Sequence, residues 1–221
     1  MQGTKAFTKS AESVLSTNRV LRNTYALLSA TLLFSAAMAA VSMVVAPPHM
    51  ISLVTTLAAF GILFFVLPKF ENSAAGVGVV FLLTGLLGFG LGPMLNHYVA
   101  LPNGAQIVAT AMGGTGTIFL ALSAYVLTTK KNFEFMGGML FIGLMVMLGA
   151  LVLNIFLQIP AMSMALSAGI VLLMSGFILF DTSRIVNGGE TNYIRATVSM
   201  FLNIFNLFTS LLHLLGIMSN D

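Results

Sequence analysis

Long apolar stretches, each separated from the next by a short polar or proline- and glycine-containing break, run the length of the chain. Seven can be drawn, at 24–46, 50–67, 74–98, 105–128, 136–157, 161–181 and 194–217. Each is close to the roughly 20 residues a helix needs to cross a bilayer. The breaks are "APPHM" (46–50), "PKFENS" (68–73), "YVALPNG" (98–104), "TKKNFE" (129–134), "QIPAM" (158–162) and "DTSRIVNGGETNYIR" (181–195). Turn-favouring residues dominate them. Pro160 suits the first turn of a helix, where its missing N–H costs nothing. The pattern predicts an all-α integral membrane protein of seven transmembrane helices. A polar N-terminal segment (1–22) precedes a membrane body (23–218), and a short tail (219–221) follows it.

Composition narrows the class further. The 221 residues are 58% hydrophobic and 7% charged, against about 25% charged in a soluble domain. The net charge of +3 is no nucleic-acid footprint, because the nine basic residues are scattered in short clusters. Lys5, Lys9, Arg19 and Arg22 precede the first stretch. Lys69 follows the second, Lys130 and Lys131 the fourth, and Arg184 and Arg195 the sixth. The other breaks carry no Lys or Arg. All positive charge therefore falls on one side, and the positive-inside rule predicts that side, with the N-terminus, to be cytoplasmic. "AMAA" (37–40) after Arg19 and Arg22 imitates a leader-peptide cleavage site, but the apolar run continues to Val45 and is long enough to span.

The seventh stretch carries an unusual pattern. At 100° per residue, Arg195, Ser199, Asn203, Asn206, Ser210 and His213 fall on one face, with Phe201, Phe205 and Phe208 on another. Unsatisfied polar groups in hydrocarbon cost several kcal/mol each. The face is therefore expected to be turned toward protein or water. Asp181 closes the sixth stretch. As an antiparallel neighbour it would approach Ser199 or Asn203, or else pair with Arg184 or Arg195. Two readings stand here: an interfacial ion pair with a helix-helix hydrogen bond, or a protonatable gate in the membrane. Asn154 and Gln158 read as helix-packing glue. Gly88 with Gly92, "GGTG" (113–116), and Ser163 with Ser167 read as close-packing small residues.

Catalysis finds little support. The chain has no cysteine and no H-E-x-x-H, and His49, His97 and His213 lack metal-ligand spacing. No metal or cofactor is expected.

"FDTSRIVNGGETNYIRATVSMFLNIFNLFTSLLHLLG" (180–216) resembles the C-terminal signature of the Bax inhibitor-1 family. "LSTNRVLRNTYALLSATLLFSA" (15–36) and "LGPMLNHY" (91–98) resemble its bacterial YccA branch. The resemblance implies six helices surrounding a central, polar-striped seventh. It also implies one of two activities. Some members are pH-sensitive calcium leak channels gated by paired aspartates on the last two helices. The YccA branch modulates FtsH, a membrane-anchored AAA protease of the bacterial inner membrane, and is its substrate. Asp181 matches the first aspartate, whereas Asn203 stands at the second position and cannot ionise. Calcium prefers six to eight oxygens with several carboxylates, so Asp181 with Asn203 would make at most a weak cation or proton site.

Overall fold

The computed structural model describes residues 2–219, and among them every regular element is a helix. The elements are α1 (Gln2–Val45), α2 (His49–Gly61), a π-helical turn (Ile62–Val66), α3 (Leu67–Phe70), α4 (Ala75–Val99), α5 (Gly104–Thr129), a 3-10 turn (Glu134–Met136), α6 (Gly137–Leu157), α7 (Pro160–Val186) and α8 (Tyr193–Met218). Seven helical segments are long and apolar enough to cross a membrane, with α2, the π turn and α3 together making one of them. The protein is thus an all-α membrane protein, as the pattern predicts. Beyond Ser219, the expected C-terminal tail lies outside the described residues.

Boundaries differ from the expectation in two places. α1 extends back through the polar segment to Gln2. A formed helix propagates at one hydrogen bond per residue, and residues 4–22 contain no Gly or Pro to stop it. α7 does not end at Asp181 but continues to Val186. Asp181 therefore lies five residues, about 8 Å, inside the helix end. The π turn sits just ahead of Pro68, which lacks an N–H and crowds the carbonyl four residues back. The chain widens there, and the Leu67 N–H reaches the Ile62 carbonyl instead.

The helices form a layered bundle. α8 packs directly on α1, α4, α5 and α7. α2 leans on α4 and α6 leans on α7, one layer out from α8. Burial follows this order: α4 and α8 are the most enclosed spans, α2 and α6 the least. The 26 residues of α8 give a length of about 39 Å, enough to cross the roughly 30 Å hydrocarbon layer completely.

Small residues bring α1 against α4. A Cβ on Gly88 would stand 2.3 Å from the Ser35 carbonyl oxygen, and one on Gly92 would stand 2.1 Å from the Ser42 hydroxyl. That pair behaves as its spacing suggests. The "GGTG" stretch does not: nothing lies within 4 Å of a Cβ at Gly113 or Gly116, and Gly114 meets only Leu211 at 3.6 Å. This part of α5 borders an opening instead of a neighbouring helix, which corrects the close-packing expectation. Asn154 bonds the Ser163 hydroxyl (2.7 Å) and accepts the Ile159 N–H, tying α6 to α7. Gln158 is an exposed left-handed C-cap, not glue.

Candidate functional site

The loop of residues 187–192 turns α7 back into α8 as an antiparallel neighbour. Asn192 caps the new helix: its Oδ1 accepts the N–H groups of Ile194 (2.9 Å) and Arg195 (3.2 Å). Its amide donates to the Glu71 carbonyl (2.9 Å) and to Asn72 Oδ1 (3.0 Å), fixing the loop after α3 to the start of α8. Asp181, five residues before the end of α7, and Ser199, six residues after the start of α8, therefore lie at matching depth.

The two helices meet through the acid. Asp181 Oδ2 accepts from the Ser199 hydroxyl at 2.5 Å and from the Asn203 amide at 2.7 Å. Asp181 is 8% exposed and Asn203 is 7% exposed. No arginine pairs with this carboxylate. Arg184 is 3.7 Å from Glu190, donates to the Gly189 carbonyl, and lies over the Phe180 ring. Arg195 reaches Glu71 at 3.1 Å and Glu190 at 4.0 Å. The expected alternative, Asp181 paired with Arg184 or Arg195, is thus corrected: both arginines have their own acids. Nothing in the sequence marks Glu71, which lies 124 residues from Arg195, whereas Glu190 stands in the loop between Arg184 and Arg195, where its spacing is the available signal. A cavity of about 100 Å³ joins the parts, lined by Asp181, Arg184, Ile185, Glu190, Arg195, Ala196 and Ser199.

The polar face of α8 is split. Ser199, Asn203 and Ser210 turn inward, Asn203 and Ser210 being buried. Asn206 is exposed and donates to the Leu202 carbonyl of its own helix at 2.8 Å. Arg195, Asn206 and His213 fall within about 20° of one another, whereas Ser199, Asn203 and Ser210 lie about 40–80° further round. The second group faces protein as expected, whereas Asn206 is exposed on the surface of the bundle and is met only by its own helix. His213 is half-buried, and its Nδ1 bonds the Tyr98 hydroxyl at 3.1 Å, linking α8 to α4 at the far end. Nearby, the Asn96 amide donates to the Met43 carbonyl of α1 at 3.0 Å.

Chemically, the site holds the Asp181 carboxylate with two neutral donors, Ser199 and Asn203, beside a second carboxylate, Glu190, that is paired with Arg184 and Arg195. It can exchange a proton with the small cavity or attract a single cation there. One unpaired carboxylate falls short of the oxygen set a tight calcium site needs, and among the described residues no three His, Cys, Asp or Glu side chains cluster.

The family model described as "Inhibitor of apoptosis-promoting Bax1" matches residues 17–220. The chain belongs to the Bax inhibitor-1 family. Within the family it is similar to a protein of Vibrio cholerae named "Uncharacterized membrane protein", at 55% identity over 97% of this chain and 96% of the relative. It is 49% identical to the Escherichia coli K12 protein named "Modulator of FtsH protease YccA", over 95% of this chain and 94% of the relative. A Pseudomonas aeruginosa relative is 46% identical over 91% of this chain and 90% of its own. For this Bax inhibitor-1 chain, the contact between the last two helices is an Asp–Asn–Ser cluster.

Proposed function

We propose that this chain is a bacterial inner-membrane regulatory protein that binds and modulates the membrane-anchored AAA protease FtsH. The observation that carries the reading is the near full-length, 49% identity to a protein named as that protease's modulator. Two features of the chain fit such a role. The polar N-terminal segment continues α1 beyond the membrane body, placing an extension on the side that bears every lysine and arginine. At the α8 position facing Asp181, where a second acid would make a coupled titrating pair, the chain carries neutral Asn203.

The test is a deletion in the full chain. Removing residues 2–18 is expected to abolish modulation of the protease and to lengthen the chain's own half-life, while membrane insertion is retained. Modulation and turnover both unchanged would remove the extension from the mechanism. Failure of the intact chain to co-purify with the protease would remove the partner.

A second reading, a cation leak gated around Asp181, draws on the small cavity beside that carboxylate. In calcium-loaded proteoliposomes compared from mildly acidic to neutral pH, Asp181→Asn is expected to change the flux on this reading. No flux in the wild type would end the reading. Flux insensitive to the substitution would leave conduction but remove Asp181 as its gate.

A further inference from the structure

The fourth membrane span ends at Thr129 and the fifth begins at Glu134. Residues 130–133 between them therefore sit at headgroup depth. Lys130 and Lys131 are both exposed, and among the described residues neither makes an ion pair. Arg184 and Arg195, at the same end of the bundle, are by contrast balanced by Glu190 and Glu71. Glu134, the one acid of this hairpin, is engaged elsewhere. Its Oε2 accepts the Asn132 amide at 3.3 Å, and its Oε1 lies 2.3 Å from where a Cβ on Gly189 would stand, in the loop before α8.

The hairpin is clamped to the bundle. On α7 the fully buried Ser183 hydroxyl accepts the Phe133 N–H at 2.8 Å and donates to the Lys131 carbonyl at 3.2 Å. The Asn187 amide donates in turn to the Ser183 hydroxyl (3.2 Å) and carbonyl (2.9 Å). The two lysines thus stand on a backbone fixed two residues from Asp181. Lys130 is the left-handed C-cap of α5, with φ +52°, a position that favours glycine. A side chain there carries a backbone cost that glycine avoids. Aromatic rings flank the pair. Lys131 Nζ lies 5.7 Å from the centroid of the Tyr125 ring. Tyr125, Phe133 and Phe135 follow one another at centroid spacings of 6.2 and 6.4 Å. Tyr125 and Phe135 are 42% and 80% exposed, as rings at a membrane–water boundary are.

Charge decides the occupant. A headgroup that meets this hairpin finds two ammonium groups without a carboxylate in ion-pair reach. The phosphate of phosphatidylethanolamine is already balanced by its own amine, whereas that of phosphatidylglycerol is not. We propose that the α5–α6 hairpin is a seat for the phosphate of an anionic phospholipid, held by Lys130 and Lys131, with the acyl chains beside Tyr125 and Phe135. The seat is independent of the regulatory role proposed above.

The full chain, purified in detergent, is titrated with phosphatidylglycerol and with phosphatidylethanolamine, and bound lipid is counted by native mass spectrometry. Wild type is expected to prefer phosphatidylglycerol, and less so as salt rises. Lys130→Gly and Lys131→Gln are each expected to lower the preference about fivefold, the effect of one basic charge at an anionic lipid surface. Lys130→Gly also separates binding from folding. It relieves the left-handed strain, so the thermal midpoint is expected to hold or rise while the preference falls. Lys69→Gln removes an exposed lysine of α3, outside the hairpin, and is expected to change the preference less than about twofold. No preference in the wild type would overturn the proposal. An equal loss from Lys69→Gln would do so as well, by making the preference a property of the whole basic end. A preference lost only together with the thermal midpoint would make the lysines structural. Displacement of the lipid by an equal concentration of inorganic phosphate would leave an anion site and no lipid seat.

Discussion

Asn203→Leu is expected to destabilise the folded protein by about 2–3 kcal/mol, the range for losing a hydrogen bond to a charged group together with the cost of the unmet acceptor. Neutral interhelical hydrogen bonds in membrane proteins average only about 0.6 kcal/mol. This one is expected to exceed that figure because its acceptor is a carboxylate that is 8% exposed and shares no ion pair with either arginine. Leucine keeps the branching of asparagine but is bulkier, so an overpacking cost enters in both backgrounds and cancels in the difference between them. The check is an unfolding titration of the reconstituted or detergent-solubilised chain. In an Asp181→Asn background the same substitution is expected to cost about 1–2 kcal/mol less, because only an ordinary interhelical bond is lost there. Equal losses in the two backgrounds would mean that charge is not what makes the contact strong. The double-mutant cycle isolates this pair because Ser199 still donates in every member.

The second large effect is expected from a single methyl group. Gly88→Ala would place a Cβ 2.3 Å from the Ser35 carbonyl oxygen and 2.8 Å from its carbonyl carbon. These are backbone atoms of α1 and cannot swing aside as a side chain can. The helices would have to separate, and overpacking of this kind costs about 1–3 kcal/mol. Gly113→Ala on α5 is expected to have the opposite sign, gaining up to about 1 kcal/mol of helix propensity in open space. Thermal or denaturant midpoints of the two variants should move in opposite directions. A neutral Gly88→Ala would mean that α1 and α4 are not held at this separation.

The two glycine groups show where sequence reading stops. Gly88 with Gly92 and the "GGTG" stretch have the same small-residue character, yet one pair meets a backbone and the other borders a cleft. The difference lies in which helix stands opposite, and no local spacing records that. The seven spans were legible because the thickness of a hydrocarbon layer dictates their length and the clustering of Lys and Arg marks their ends. The meeting of Asp181 with Ser199 and Asn203 was legible as well, because a short loop forces antiparallel neighbours and periodicity aligns their polar residues. The partners of the arginines were missed for two reasons: Glu71 sits in a loop 124 residues away whose approach depends on the finished fold, while Glu190, in the loop between Arg184 and Arg195, is a local competitor for them that the Asp181 pairing left out. The separation of Asn206 from Asn203 was not legible, because a stripe drawn as one face is wide enough for its two edges to meet different surroundings.

Asn192 performs two tasks with one side chain: its oxygen starts α8, and its nitrogen grips Glu71 and Asn72. The hairpin between the second and third spans and the hairpin between the last two are thereby fastened into one bracket. Residues 71–72 are held at the first turn of α8, less than two turns from Ser199. The two hairpins thus form one fastened rim whose edge lies less than two turns of α8 from the enclosed acid.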